Sequence, residues 1–220
     1  MDMTASRARA LYLVLAVAAL GLITSTNRLG AWSLRAVAPH LLFLAGLCIP
    51  SLLVCVLIYL SVHPARPFGP PHPHTPWSRL ARLAGMWLGA WLAGSAVAAL
   101  VVGHWIRYAT DVPALVCFVM VGPLQEELLY RGALFELAER GWPSAPRWSP
   151  IVATTVPFAL QHLQFHGYRF SAAALFQVAF TVPMGLVFGR LRQASGSLWP
   201  GLAAHVLTNL AGAFGTPPSP

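Results

Sequence analysis

Seven stretches of the chain are apolar and long enough to read as helices lodged in a membrane. The first runs from Ala10 to Thr24, behind Arg7 and Arg9, and the second from Leu41 to Val62. The third extends from about Leu80 to Ile106, with Gly85, Gly89, Ala93 and Gly94 offering a small-residue packing face. The fourth covers Val112 to Arg140, the fifth Pro150 to about His166, the sixth Ser171 to Leu191 and the seventh Leu198 to Phe214. Such runs approach the roughly 20 apolar residues that a spanning helix needs. Between them, His63 to Ser78 (HPARPFGPPHPHTPWS) and Gly141 to Ser149 (GWPSAPRWS) carry the proline, glycine and serine of loops. His72 and His74 belong to a solvated loop rather than a metal site. Gly215 to Pro220 is too rich in proline to continue a helix. Ser25 to Arg28 lack a small-x-small cleavage pattern, so the first run reads as an uncleaved span. The expectation is an all-α, multi-pass membrane helical bundle of about seven transmembrane helices, in a single domain over 1–220 without internal repeats.

Composition agrees with this pattern. Of 220 residues, 57% are hydrophobic and 9% charged, with a mean hydropathy of +0.64, whereas a soluble domain carries about 25% charged residues. The net charge of +8 comes from arginine alone, since the chain has no lysine. The arginines are scattered between apolar runs, which suits loops on anionic lipid and argues against nucleic acid. With seven spans and the N-terminus inside, Arg7, Arg9, Arg66, Arg79, Arg82, Arg140, Arg147, Arg190 and Arg192 are cytoplasmic. Arg28, Arg35, Arg107 and Arg169 are then outside, and the excess inside favours this orientation. Cys48, Cys55 and Cys117 lie inside apolar runs at no metal or redox spacing and read as free, buried thiols.

One stretch breaks the rule. Gln125 to Gly132 (QEELLYRG) sets Glu126, Glu127 and Arg131 inside the fourth span. A charge at mid-bilayer costs about 3 kcal/mol on insertion scales, so such residues usually have a task. Glu127 and Arg131, at i,i+4, can pair; Glu126 then faces about 100° away and is left without a reason. Glu136 and Glu139, near the end of the span, read as interfacial charges. The fifth span carries Phe158 and His162 at i,i+4, with His166 a turn further on, and the seventh carries His205 and Asn209 at the same spacing. Each pair shares a helix face, and polar faces in apolar helices should turn inward. Pro123, Pro157 and Pro200 each precede one of these groups by about a turn, where a kink or restart is expected.

Two carboxylates, two histidines and an asparagine suit hydrolysis. A carboxylate takes a proton from water held by a histidine, and the hydroxide attacks a carbonyl. His205 and Asn209 could supply donors to the oxyanion from a facing helix. Burial of adjacent carboxylates disfavours having both ionised at once. No serine or cysteine sits beside a histidine in these helices, which argues against a covalent route. The competing scheme is a zinc site with Glu126, His162 and His205 as ligands, although HExxH does not occur.

EELLYRG resembles the EExxxR motif of the CAAX-processing and bacteriocin-processing (CPBP) intramembrane endopeptidases, which include the type II CAAX prenyl endopeptidases. Phe158 to His162 is similar to that family's FxxxH, and His205 to Asn209 to its HxxxN, in the same order on separate apolar segments. The resemblance covers about 112–214. It implies an all-helical membrane fold, often with eight spans, and a glutamate-dependent peptidase without an obligatory metal cofactor. By motif position Glu126 would be the water-activating base, His162 its partner, and His205 with Asn209 the oxyanion hole. Glu127 and Arg131 would organise the helix. The implied partners are the lipid bilayer and a peptide or membrane-anchored protein substrate, in a bacterial inner membrane. The alternative is a non-catalytic scaffold or bacteriocin-immunity type of protein; a proton-coupled transporter fits the motifs less well. The arginine asymmetry makes a direct prediction. Single cysteines placed in 64–78 and 141–149 of a cysteine-free chain should be labelled from the cytoplasmic side, and labelling of both only from outside reverses the orientation.

Overall fold

The computed structural model describes residues 4–33, 49–62, 76–102 and 115–213. Among these, seven helices form: α1 (Ala5–Ser33), α2 (Ile49–Val62), α3 (Trp77–Val102), α4 (115–141), α5 (Ser149–Gln161, extended by a 3-10 turn, His162–His166), α6 (Ala172–Ser195) and α7 (Trp199–Ala213). The residues at 63–75, with His72 and His74, and the tail 214–220 lie outside the described residues. α4 is central. α1 packs against its C-terminal part, α2 against its middle and α7 against its N-terminal part. α5 and α6 form the most extensive helix pair, and α3 and α7 flank α6.

The distribution of side chains is that of a protein dissolved in lipid. Leu13, Val14 and Val17 of α1, Leu53 and Leu57 of α2, and Met86, Leu92 and Leu100 of α3 are exposed, while Glu127 and Arg131 are almost wholly buried. In water the reverse holds. Among the described residues, two helices, Ser78–Val97 and Ala172–Ser195, are long and apolar enough to cross a membrane unaided, and Ser51–Val62 is a shorter apolar helix. The count of seven spans is therefore not reproduced at that standard. The physical reasons are that α4 carries six charged side chains and that α7 is only 15 residues long, about 22 Å of helix against a core of about 30 Å.

Helix contacts are made where side chains are missing. On α6, Gly185 and Gly189 stand one turn apart against α5. A methyl group at Gly185 would lie 2.8 Å from Thr155 Cγ2, and one at Gly189 2.8 Å from Ile151 Cγ2. This small-xxx-small face brings the two backbones together. The face expected on the third span is only partly used. Among the described residues, nothing lies within 4 Å of where a methyl group at Gly85 or Gly89 would sit, and of these three glycines Gly94 alone meets a neighbour, Phe180. The expected kinks also take a definite form. Pro157 lies inside α5, Pro123 opens the α-turn after a π segment of α4, and Pro200 is the second residue of α7. Pro157 has no N–H for the carbonyl of Ala153, four residues back. The Tyr12 hydroxyl of α1 donates to that carbonyl at 2.6 Å, so a break in one helix becomes a tie to another.

Among the cysteines, Cys55 is free and buried, as expected, but Cys117 is disulfide-bonded, contrary to the reading of buried thiols. Cys117 sits in the first turns of α4.

Gly132 makes the packing testable. A methyl group there would lie 2.5 Å from Tyr59 Cδ2 of α2. Gly132→Ala should destabilise by about 1–3 kcal/mol, as overpacking does. Tyr59→Ala in the same chain should recover part of the lost melting temperature. Additive losses in the double variant would show that the two residues do not meet.

Candidate active site

The helix that carries the two glutamates is irregular where they stand. α4 passes from a π segment (Cys117–Val121) through an α-turn (Gly122–Glu126) into a second π segment (Glu127–Leu134) before ending as α-helix (Phe135–Gly141). π segments inside α-helices often mark functional sites. The first has a visible cause. The N–H of Gly122 reaches back five residues to the Cys117 carbonyl. The next bond of that series would run from residue 123 to Phe118, but residue 123 is proline and has no N–H. The side-chain amide of Asn209 donates to the Phe118 carbonyl instead, at 2.8 Å.

Glu126 and Glu127 both reach His205 of α7, each at a different ring nitrogen. Glu126 Oε2 is 3.3 Å from His205 Nε2, and Glu127 Oε1 is 3.1 Å from His205 Nδ1. Glu127 also meets Arg131 Nη1 at 3.3 Å, as its i,i+4 spacing foretold. Arg131 Nη2 donates to the Gly185 carbonyl at 3.1 Å, a bond that the bare backbone of α6 permits. The guanidinium carbon lies 4.1 Å from the centre of the Phe158 ring and 5.5 Å from that of Phe188. A desolvated cation over aromatic faces gains about 2 kcal/mol or more. His205 stacks on Phe188 at 4.9 Å and meets the edge of Phe158. Phe158, the first residue of the FxxxH pattern, is thus the hub on which the cation and both histidines rest.

The charges nearly cancel. Two carboxylates and one guanidinium leave one negative charge. A single proton, on His205 or on a glutamate facing it, makes the cluster neutral.

His162 is held differently. At the end of α5 the helix tightens, and the His162 N–H bonds the carbonyls of Ala159 and Leu160. The Phe158 carbonyl, which an α-helix would pair with that N–H, lies 2.8 Å from His162 Nδ1. A carbonyl only accepts, so this contact assigns a proton to Nδ1. Glu126 and His205 lie within electrostatic reach of His162. The structure therefore brings Glu126, Glu127, Arg131, Phe158, His162 and His205 into one cluster. Asn209, a turn beyond His205, is turned to the Phe118 carbonyl. His166, which had no assigned role, contacts Gln177 through Nε2 at 2.7 Å.

Sequence reasoning passed over two partners. Gln161, 1% exposed, donates from Nε2 to Glu126 Oε1 at 2.5 Å and accepts from the Tyr130 hydroxyl at 2.7 Å. A lone amide beside His162 in an apolar helix was the available signal. Tyr130, inside QEELLYRG, looked like one more apolar residue. Between them they fix one oxygen of Glu126 while leaving that side chain 14% exposed, against 1% for Glu127. Among the described residues, no three His, Cys, Asp or Glu side chains are arranged to hold a metal ion, the trio proposed for zinc included.

Carboxylates and histidines are thus drawn together in the interior of a helical bundle. Residues 108–211 match the family model described as type II CAAX prenyl endopeptidase Rce1-like. This match, to a family whose members are membrane-embedded and whose description is that of a protease, supports the resemblance to the CPBP-type family. No curated protein and no solved structure matches the chain.

Arg131 should be the structural centre of this cluster. Arg131→Ala leaves Glu127 buried with a surplus negative charge and should cost about 3–5 kcal/mol. Glu127→Gln, which keeps Arg131 between its rings and on Gly185, should cost less. Melting curves in detergent read the order, and a larger loss for Glu127→Gln would displace Arg131 from this role.

Proposed function

We propose that this chain is an intramembrane endopeptidase that hydrolyses a peptide bond near a membrane anchor, with Glu126 as the base. The carrying observation is the difference between the paired carboxylates. Glu127 is sealed against Arg131 and His205, while Glu126 is held on one oxygen by Gln161 and remains open to a small molecule such as water.

In this scheme Glu126 accepts a proton from a water that hydrogen-bonds His162 Nε2, and the hydroxide adds to the scissile carbonyl carbon. The Asn209 amide has a second N–H besides the one on Phe118, and it meets the oxyanion. His205 holds the cluster's proton against Glu126 Oε2. That proton goes to the leaving amine nitrogen as the C–N bond breaks, leaving a carboxylic acid and an amine. No metal takes part in these steps. Gln161 and Tyr130 orient the base. A non-catalytic scaffold of the same family is the second reading, favoured by the use of the Asn209 amide to cap the Phe118 carbonyl.

The test is cleavage of the native substrate, found by comparing the membrane and secreted proteins of a deletion strain with those of its parent. Glu126→Gln keeps size and hydrogen-bonding capacity and should abolish turnover with an unchanged melting temperature. Asn209→Ala should lower kcat by about 10²–10³. Wild-type processing by both variants sinks the enzyme reading. Rigorous chelation should leave activity intact; loss with rescue by stoichiometric zinc would hand Glu126, His162 and His205 to a metal.

A further inference from the structure

A second concave site lies roughly 20 Å from Glu126 along α4, at the end of the bundle where the C-terminal ends of α4 and α6 meet the N-terminal ends of α3 and α5. It is a cleft of about 460 Å³, lined by Arg79 of α3, Arg147 of the α4–α5 connection, Arg190 of α6, and Glu139 with Trp142. Arg140, nearby, is neutralised by Glu136 at 2.8 Å. Arg79, Arg147 and Arg190 have no acidic partner among the described residues, and the one carboxylate in the cleft leaves a surplus of positive charge.

The cleft is held in shape. Gln193 of α6 donates to the Arg147 carbonyl and accepts from Arg190 Nη1 at 3.2 Å, so one amide clamps the loop to the helix and aims a guanidinium. Within the loop, Ala145 N bonds the Trp142 carbonyl and Ser149 N the Pro146 carbonyl, at 3.0 and 2.8 Å. Trp142 and Trp148 are part-exposed beside it, as indoles are at the headgroup level of a bilayer. From Arg190, Leu186 and Val182 continue an exposed apolar row along α6, and Val152 and Val156 do so along α5. The site therefore has a cationic mouth at the interface and greasy rows descending from it.

We propose that this cleft binds the phosphate of an anionic phospholipid in the leaflet at this end of the bundle, with the acyl chains along the α5 and α6 rows. Guanidinium groups pair with phosphate oxygens in forked geometry. Each arginine near an anionic headgroup contributes about fivefold in affinity. The apolar rows distinguish a lipid from free phosphate, for which they would do nothing.

The experiment uses the full chain in nanodiscs of phosphatidylcholine with a tenth of phosphatidylglycerol, and native mass spectrometry of the lipid retained on release. Wild type should keep phosphatidylglycerol preferentially over phosphatidylcholine. Replacing Arg79, Arg147 and Arg190 together by glutamine should reduce that preference by on the order of 100-fold, whereas Arg169→Gln at the opposite end should leave it unchanged. Glu139→Gln removes the opposing charge and should raise retention a few-fold, a gain that a merely structural cleft would not give. Inorganic phosphate at millimolar concentration should not displace the lipid. Equal retention of the two lipids by wild type overturns the proposal, as does unaltered preference in the triple variant. Displacement by inorganic phosphate assigns the cleft to a soluble phosphate and overturns its lipid part. If the triple variant does not fold in phosphatidylcholine alone, the sign of the Glu139→Gln effect decides.

Discussion

The structure depends on keeping two adjacent carboxylates inside an apolar bundle, and Arg131 is what makes that tolerable. Opposite charges 4 Å apart at the effective dielectric of a protein interact by about 4 kcal/mol, which helps only if the cation is itself accommodated. Arg131 is accommodated from three directions: Glu127, the carbonyl of Gly185, and the faces of Phe158 and Phe188. Each contact limits another element. α6 has a bare backbone at Gly185 so that its carbonyl can be reached, α5 must present Phe158, and α7 must bring His205 between both carboxylates. The chemistry proposed for Glu126 rests on this prior solution to a problem of charge burial.

Two prolines show how the helices are tied without polar side chains in every contact. Pro157 leaves the Ala153 carbonyl for Tyr12, and Pro123 leaves that of Phe118 for Asn209. In hydrocarbon an unsatisfied carbonyl is costly, so a partner on another helix is strongly selected. The same logic gives Asn209 two tasks, one in the fold and one in the proposed chemistry.

Much of this was legible in the sequence, because charge in an apolar run is rare and spacing on a helix fixes direction. The i,i+4 pairs Glu127–Arg131 and Phe158–His162 meet as their spacing requires, and the helix boundaries follow the apolar runs to within a few residues at α4 to α7. What the sequence could not show is set by partners on other helices. At 3.6 residues per turn Glu126 faces away from Glu127, yet one side chain of α7 meets both, because His205 offers Nε2 to one and Nδ1 to the other. Gln161 was missed because its role needs a partner from another helix, which periodicity within one helix cannot reveal. The glycines of the third span illustrate the converse, since a small-residue row shows that a close approach is possible and not that one occurs.

The second π segment of α4 amounts to one residue too many. An α-helix accommodates its residues at a fixed pitch, and a π stretch absorbs a surplus residue at the expense of good hydrogen bonds. Here the surplus falls over Glu127–Leu134, and outside groups steady it: the Arg192 Nε–H bonds the Arg131 carbonyl at 3.1 Å while the Phe135 N–H turns to Tyr130 and Gly132. Shortening the chain by one residue within this stretch would give α4 a more regular helix and would turn every residue beyond the deletion by about 100° relative to those before it. The site thus stands on a stretch of backbone held against its local preference, and its register is the feature least able to tolerate a change in chain length.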